Sequence, residues 1–152
     1  MNELIDAARQ GNTERIKQLI HEGADVNFQG DKGFTPLIIA AYNHQTEATE
    51  ILLQHGAEVN QKDDGSNTAL MGVCFKGYLD IAKILIDHGA DLDAKHGNGG
   101  TALMFASMFG KEELVKLLLA SGADKMIVDN KGFMAVDHAG MQKNLEIIEL
   151  LS

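Results

Sequence analysis

A period of 33 residues runs through this chain, and it limits the possible folds more than any other feature of the sequence. The pair Gly-Ala recurs at that interval, and a column of threonines repeats with the same spacing. The pairs are Gly23-Ala24, Gly56-Ala57, Gly89-Ala90 and Gly122-Ala123, and the threonines are Thr35, Thr68 and Thr101. A repeat this short cannot bury its own apolar face, so it predicts a stack of similar units with one continuous core.

Each repeat carries the signals of two helices. Thr35-Pro36 precedes an apolar run, and threonine is a preferred N-cap while proline suits the first helical position. The threonine column extends back to Asn2 and forward to Met134, where the cap is lost. This first helix is predicted to end at the column Gly11, His44, Gly77, Gly110 and Lys143. A second amphipathic helix then ends at the glycine of each Gly-Ala pair, and extended arms around a tight turn lead to the next unit.

The unit resembles the ankyrin repeat. The agreement is best over residues 33–41, with Thr-Pro-Leu, and over residues 51–60, with Leu-Leu-x-x-Gly-Ala. The histidine usual after Thr-Pro-Leu is replaced by Ile38, Met71, Met104 or Asp137. The resemblance implies an all-α solenoid of stacked helix-turn-helix units with short β-hairpin loops, forming one domain over residues 1–152. We expect units at 1–29 (an N-terminal cap), 30–62, 63–95, 96–128 and 129–152 (a truncated C-terminal cap).

Net charge narrows the class of partner. The chain has 13 Lys and Arg against 22 Asp and Glu, a formal charge of -9, which repels nucleic acid and anionic lipid. No apolar stretch approaches the roughly 18 residues of a membrane helix, and the N-terminus lacks the features of a signal peptide. A single cysteine fits a reducing compartment. We therefore expect a cytoplasmic protein that binds neither nucleic acid nor membranes.

The sequence predicts no enzyme, cofactor or metal site. Cys74 occupies a column of small residues, so it is expected to be buried and unreactive. His21 is followed by Asp25 where a zinc-protease helix needs its second histidine, and His55 and His88 share a column without further ligands. Two alternatives stay open: a metal- or cofactor-dependent accessory protein or enzyme subunit, and a scaffold without a natural ligand.

The positions that the repeat does not explain predict a protein-binding surface. In ankyrin-like units the end of the first helix and the arm tips line a concave face, and here those positions are strongly apolar. Aromatic and Met side chains are typical of interaction hot spots. We expect a monomeric, non-catalytic interaction module or adaptor that binds a protein partner, either basic or with an apolar anchor. The predicted partner-binding residues are Phe34, Tyr42, Asn43, Phe75, Lys76, Met108, Phe109, Phe133 and Met141.

Asn27 and Asn60 follow Leu19 and Leu52 by eight residues, which is similar to the site that asparaginyl hydroxylases modify in ankyrin proteins. Asparagine also serves turn geometry, and we favour that structural role over modification.

Overall fold

The computed structural model describes residues 2–152, which form ten α-helices arranged as five pairs. A single 3-10 turn at Asp31–Gly33 lies between the first two pairs, and no β-strand occurs among these residues. The helices are α1 (Glu3–Gln10), α2 (Thr13–His21), α3 (Pro36–Tyr42), α4 (Thr46–Gln54), α5 (Ala69–Lys76), α6 (Leu79–Asp87), α7 (Ala102–Met108), α8 (Glu112–Ala120), α9 (Ala135–Met141) and α10 (Leu145–Leu151).

The predicted N-cap column begins the first helix of each pair. In four pairs its side-chain oxygen accepts the backbone N–H three residues on, at 3.1 to 3.4 Å, and the residues are Asn2, Thr35, Thr68 and Thr101. Met134 has no such oxygen. Instead the carboxylate of Asp137 accepts the backbone N–H of Met134 at 2.8 Å. The last pair therefore keeps a side-chain hydrogen bond at its N-terminus, but the bond comes from the third residue of the helix.

The predicted stop column ends the first helix of every pair in the left-handed conformation. Its φ angles are positive at all five positions: 70° at Gly11, 58° at His44, 91° at Gly77, 70° at Gly110 and 57° at Lys143. Glycine adopts this conformation without strain, whereas a side chain costs about 1 kcal/mol or more there. The fold therefore imposes the same backbone on His44 and Lys143 that glycine satisfies in the other pairs.

The helices pack in two layers in which each contacts its neighbours along the stack. The odd-numbered helices form one layer and the even-numbered helices the other. Where adjacent odd-numbered helices approach, small side chains are fully buried, as at Ala8, Ala41, Cys74 and Ser107. This stacking confirms the predicted all-α solenoid of helix-turn-helix units.

The arms that join the pairs are hairpin-like turns. All four close with a backbone hydrogen bond across the turn, for example from Asp63 N–H to the Asn67 carbonyl at 2.9 Å. Neighbouring arms are also bonded to each other, for example from Asp64 N–H to the Lys32 carbonyl at 3.0 Å. The predicted hairpin loops are thus present as tight turns, with too few paired residues to make strands.

Candidate functional site

Three aromatic rings form a continuous exposed row at the C-terminal ends of α3, α5 and α7. Tyr42, Phe75 and Phe109, which we call the aromatic strip, are 42%, 40% and 42% exposed. The Tyr42 and Phe75 rings lie nearly parallel with centroids 6.5 Å apart, and Phe75 meets Phe109 edge to face at 4.7 Å. These contacts across three repeats hold the rings in place while leaving much of their surface open to solvent.

The strip changes column between α5 and α7. Tyr42 and Phe75 are 33 residues apart, whereas Met108, the next residue in that column, is half-buried and Phe109 takes the exposed position. Of the residues singled out from the sequence, Met108 is therefore less available on this surface than its column suggests. Met141, at the end of α9, is 55% exposed.

The polar residues beside the strip, Lys76 and Asn43, already contact other groups of the protein. Lys76 Nζ lies 4.9 Å from the centroid of the Tyr42 ring, a cation–π distance. Asn43 Nδ2 donates a hydrogen bond of 2.8 Å to the Ile39 carbonyl, which caps the end of α3. The Lys76 ammonium thus adds a positive charge to the open edge of the strip, while Asn43 mainly serves the helix.

An apolar cavity of about 420 Å³ opens beside the strip, lined by residues of α3, α5, α7 and three arms. Tyr42 and Phe75 line it together with Phe34, which is half-buried. Phe133, the arm residue of the last pair, is 37% exposed and lies outside this cavity. The other lining residues are Ile38, Ile39, Asp63, Asn67, Thr68, Ala69, Met71, Gly72, His96 and Phe105.

The cavity depends on a glycine that sequence reasoning passed over. Gly72 lies within α5, and its column carries Ile39, Phe105 and His138 in three other units. A Cβ at Gly72 would lie 3.2 Å from Cδ1 of Tyr42, so the absent side chain leaves room against that ring. Phe105, also missed, lines the cavity as well. Reading this column for a small residue among large ones would have located the cavity.

Cys74 is a core residue of α5. It is fully buried, and burial raises the pKa of its thiol to about 12. A thiol is nucleophilic only as the thiolate, which is scarce at neutral pH with such a pKa. The structure thus agrees with the prediction of an unreactive cysteine.

The histidines that share a column each bond to their own helix. His55 Nδ1 lies 2.8 Å from the Ile51 carbonyl, and His88 Nδ1 lies 2.9 Å from the Ile84 carbonyl. Each ring therefore donates to one of the last carbonyls of α4 or α6. Among residues 2–152, no three His, Cys, Asp or Glu side chains come together in a group that could hold a metal ion.

Asn27 and Asn60 link neighbouring arms. The Asn27 side chain donates to the Gly56 carbonyl at 3.2 Å and accepts the Glu58 N–H at 2.8 Å. Asn60 repeats this pattern with Gly89 and Asp91. Both asparagines therefore have a structural role, and each fixes the turn of the next unit in the stack.

A second polar cluster, which sequence reasoning missed, joins two helix pairs. His44 Nε2 lies 3.1 Å from Asp80 Oδ1, Thr46 donates to Asp80 Oδ2 at 3.0 Å, and the His44 ring stacks on Tyr78 at 4.0 Å. Burial raises the pKa of Asp80, but the hydrogen bonds from Thr46 and His44 outweigh it and hold that pKa below its ordinary value. This cluster has a structural explanation, because it secures α6 to the turn that follows α3.

The repeat geometry is that of a known family. A family model of ankyrin repeats in three copies matches residues 4–96 and 88–152. The chain belongs to the ankyrin-repeat family. Ankyrin repeats are in general protein–protein interaction modules, and the family is typically non-catalytic. No curated protein sequence matches the chain.

None of the helices described in residues 2–152 combines the length and apolar character needed to cross a membrane.

Proposed function

We propose that this protein is a non-catalytic interaction module that binds another protein through the face carrying the aromatic strip and the adjoining arms. The observation that carries the proposal is the row of three rings that contact one another yet remain about two-fifths exposed. Aromatic side chains are enriched among interface hot spots, and contiguous exposed apolar surface marks interaction sites. The partner-binding residues are those predicted above, with the aromatic strip at their centre.

The rings are suited to binding because they are already ordered. Tyr42 contacts Phe75, and Phe75 contacts Phe109, so each ring has lost part of its rotational freedom before a partner arrives. Association is opposed by the ordering of side chains at the interface, and a preformed surface reduces that opposing entropy. The strip is therefore a better anchor than three isolated exposed rings.

The charge of the chain favours a basic partner. A net charge of -9 creates a field that attracts basic proteins and speeds their encounter. We also propose that the protein is a monomer and that it is located in the cytoplasm. A cytoplasmic location is supported by the single cysteine, which cannot form an internal disulfide and so fits a reducing compartment.

The test truncates the strip and compares the loss of binding with the loss of stability. Phe75→Ala with Phe109→Ala should weaken partner binding by at least about 2 kcal/mol, as for anchoring aromatics. The melting temperature should fall only slightly, because the loss for two exposed rings lies well below the roughly 3 to 5 kcal/mol of a buried Phe→Ala change. The partner is first captured from the source cells on the wild-type protein, and its affinity for each variant is then measured by calorimetry.

The matched control removes equally apolar side chains elsewhere. Met126 and Leu145 are 64% and 73% exposed and lie outside the strip, so Met126→Ala with Leu145→Ala should leave partner affinity unchanged. Equal affinity of the strip variant and the control variant for the captured partner would refute the proposal. A stability loss typical of buried phenylalanines would assign the strip to the core instead.

A further inference from the structure

We propose that the cavity beside Gly72 binds an arginine side chain of the protein partner, with the guanidinium paired to the carboxylate of Asp63. This inference rests on the proposed function and specifies the chemistry that the surface recognises. Equivalent positions of the repeat carry different residues in two units of this chain, and that difference supports the proposal.

Two columns of the repeat come together in the later units, one at the start of the arm and one in the middle of the helix that follows. The arm column holds Gly30, Asp63, His96 and Asp129, and the helix column holds Ile39, Gly72, Phe105 and His138. In the 96–128 unit, His96 and Phe105 meet edge to face with centroids 5.6 Å apart. The two columns are therefore in contact when both carry large side chains.

In the last unit the pair is an acid and an imidazole. His138 Nε2 donates to Asp129 Oδ2 at 2.8 Å, and the Phe133 ring lies 5.9 Å from the imidazole. The Asp129 carboxylate also accepts the backbone N–H groups of Lys131 and Phe133 through Oδ1. In this unit, one carboxylate oxygen of Asp129 holds the turn and the other accepts a hydrogen bond from a nitrogen donor.

In the 63–95 unit the acid is present and the imidazole is missing. Asp63 Oδ1 accepts the N–H groups of Gly65 and Asn67 at 2.9 Å, as Asp129 does in its own turn. Gly72 replaces the histidine, and the apolar cavity lies in its place. Among residues 2–152, the one hydrogen bond to Asp63 Oδ2 comes from the Asn67 amide at a long 3.3 Å, and the same amide lies 3.2 Å from Oδ1. Asp63 therefore resembles Asp129, except that one long hydrogen bond from the Asn67 amide stands in place of the short one from an imidazole.

The walls of the cavity fit a planar cation on an aliphatic stem. Tyr42, Phe75 and Phe105 present aromatic rings, over which a guanidinium stacks favourably. Ile38 and Met71 provide apolar surface for the methylenes of the stem. The cavity volume of about 420 Å³ is larger than an imidazole ring fills, which leaves room for a longer side chain. A carboxylate pairs with the two parallel N–H groups of arginine better than with a lysine ammonium, so arginine is the better fit.

Two further charged or titratable groups lie near the proposed site. Lys76 sits over the Tyr42 ring at 4.9 Å, so an arriving guanidinium would have to use the other face or edge of that ring. His96 also lines the cavity, and its Nδ1 is buried without a hydrogen-bond partner among residues 2–152. This nitrogen is shielded from solvent, so it is not used as a partner for the guanidinium. Asp63 and the aromatic walls are the groups that would bind it.

The test titrates the full-length, ¹⁵N-labelled protein with N-acetyl-arginine N-methylamide and follows the backbone amides by NMR. The matched probe is the citrulline analogue, which keeps the shape and some N–H donors but lacks the charge. We expect saturable shifts at Asn67, Gly72 and Phe75, with citrulline binding about tenfold more weakly because the charge-assisted hydrogen bond is lost. Equal binding of the two probes, or shifts spread over the acidic surface, would overturn the proposal.

Two variants and one control locate the effect. Asp63→Asn keeps the Oδ1 acceptor of the turn and should abolish the preference for arginine over citrulline. Asp64→Asn removes the same charge one residue away, outside the cavity lining, and should leave that preference intact. Gly72→His supplies the residue type found at position 138 and should abolish binding of both probes. If Gly72→His does not fold by circular dichroism, the Asp63 and Asp64 pair alone decides.

The outcomes also separate this proposal from the proposed function. If Gly72→His folds and binds the captured partner as wild type does, while Phe75→Ala with Phe109→Ala does not bind it, the strip is the interface and the arginine site is wrong. If the arginine probe binds the cavity and Gly72→His loses the partner, but Phe109→Ala, which removes a strip ring outside the cavity lining, keeps full affinity, the arginine site stands and the strip as the interface is wrong.

Discussion

His138 Nε2 donates a hydrogen bond of 2.8 Å to Asp129 Oδ2, and the two side chains are only 11% and 9% exposed. The backbone N–H of Phe133, with further help from His138 and the Lys131 N–H, lowers the pKa of Asp129 below its ordinary value, although burial opposes the shift. Such a nearly buried acid, held by three donors, ties the last arm to α9. This contact secures a pair of helices that has no further repeat after it in the stack described here.

The first prediction concerns the pH dependence of this contact. Because the pKa of Asp129 is lower in the folded than in the unfolded state, its carboxylate stabilises the fold at pH values above the unfolded pKa of about 4. That stabilisation is lost as the pH falls from there through the lower folded value. Asp129→Asn, which keeps an oxygen for the turn, should therefore be less stable than wild type at pH 7 and closer to it at pH 3, as measured by urea unfolding.

A charge-matched control makes this comparison specific. Asp124 accepts the Met126 N–H in a turn of the same kind but is exposed and has no histidine partner. Asp124→Asn should lower stability at pH 7 by less than Asp129→Asn. A destabilisation by Asp129→Asn that is the same at both pH values would show that the charge of Asp129 contributes nothing.

The second prediction concerns the N-cap column. Thr101→Ala removes the acceptor of the Met104 N–H and should destabilise the protein by about 1 kcal/mol. Met134→Thr adds a hydroxyl where Asp137 already bonds to the Met134 N–H, which completes a reciprocal capping box and should stabilise the protein by a similar amount. Thermal unfolding of both variants checks this, and negligible shifts at both positions would mean that the column does not cap.

The third prediction concerns the left-handed residue that ends each first helix. Lys143 is exposed with a φ of 57°, so Lys143→Gly should relieve strain and stabilise the protein by roughly 0.5 to 1 kcal/mol, net of the greater freedom of glycine in the unfolded chain. Gly110 is in the same column at 70°, and a Cβ there would meet only the Asn144 amide at an ordinary 3.6 Å. Gly110→Ala should thus destabilise through backbone strain alone. Shifts of the same sign in both variants would contradict this explanation.

The period of the sequence was enough to predict the helix pairs, their caps and their ends. These features depend on local chemistry, such as a hydroxyl at Thr35 or a left-handed residue at Gly77, which recurs wherever the column recurs. The left-handed ends hold even at His44, where the residue type alone would not indicate them. The repeat predicts the left-handed conformation of His44, because equivalent positions in neighbouring units have the same backbone conformation.

The candidate site was less predictable because it depends on differences between units. At the end of α7, Phe109 is exposed and joins the strip, whereas Met108 is half-buried. The packing around the helix determines which of the two side chains is exposed. The cavity at Gly72 requires Tyr42 from the preceding unit and Phe105 from the following one. Side chains 30 to 34 residues away determine both features, so a column must be compared across units before it reveals them.

The last prediction tests whether the chain is built from interchangeable units of one period. Deleting residues 64–96 joins Asp63 to Gly97, which occupies the same column as Asp64, so every later cap and turn keeps its register. If stability is a sum of unit and nearest-neighbour contributions, the shortened protein should fold with the same helical circular dichroism per residue but lower stability. Its urea m-value should fall by roughly a fifth, because m scales with the surface exposed on unfolding. The control deletes residues 64–91, which breaks the register at the new junction and should cost far more stability. Equal loss of helical signal in the two deletions would mean that the period does not define the folding unit.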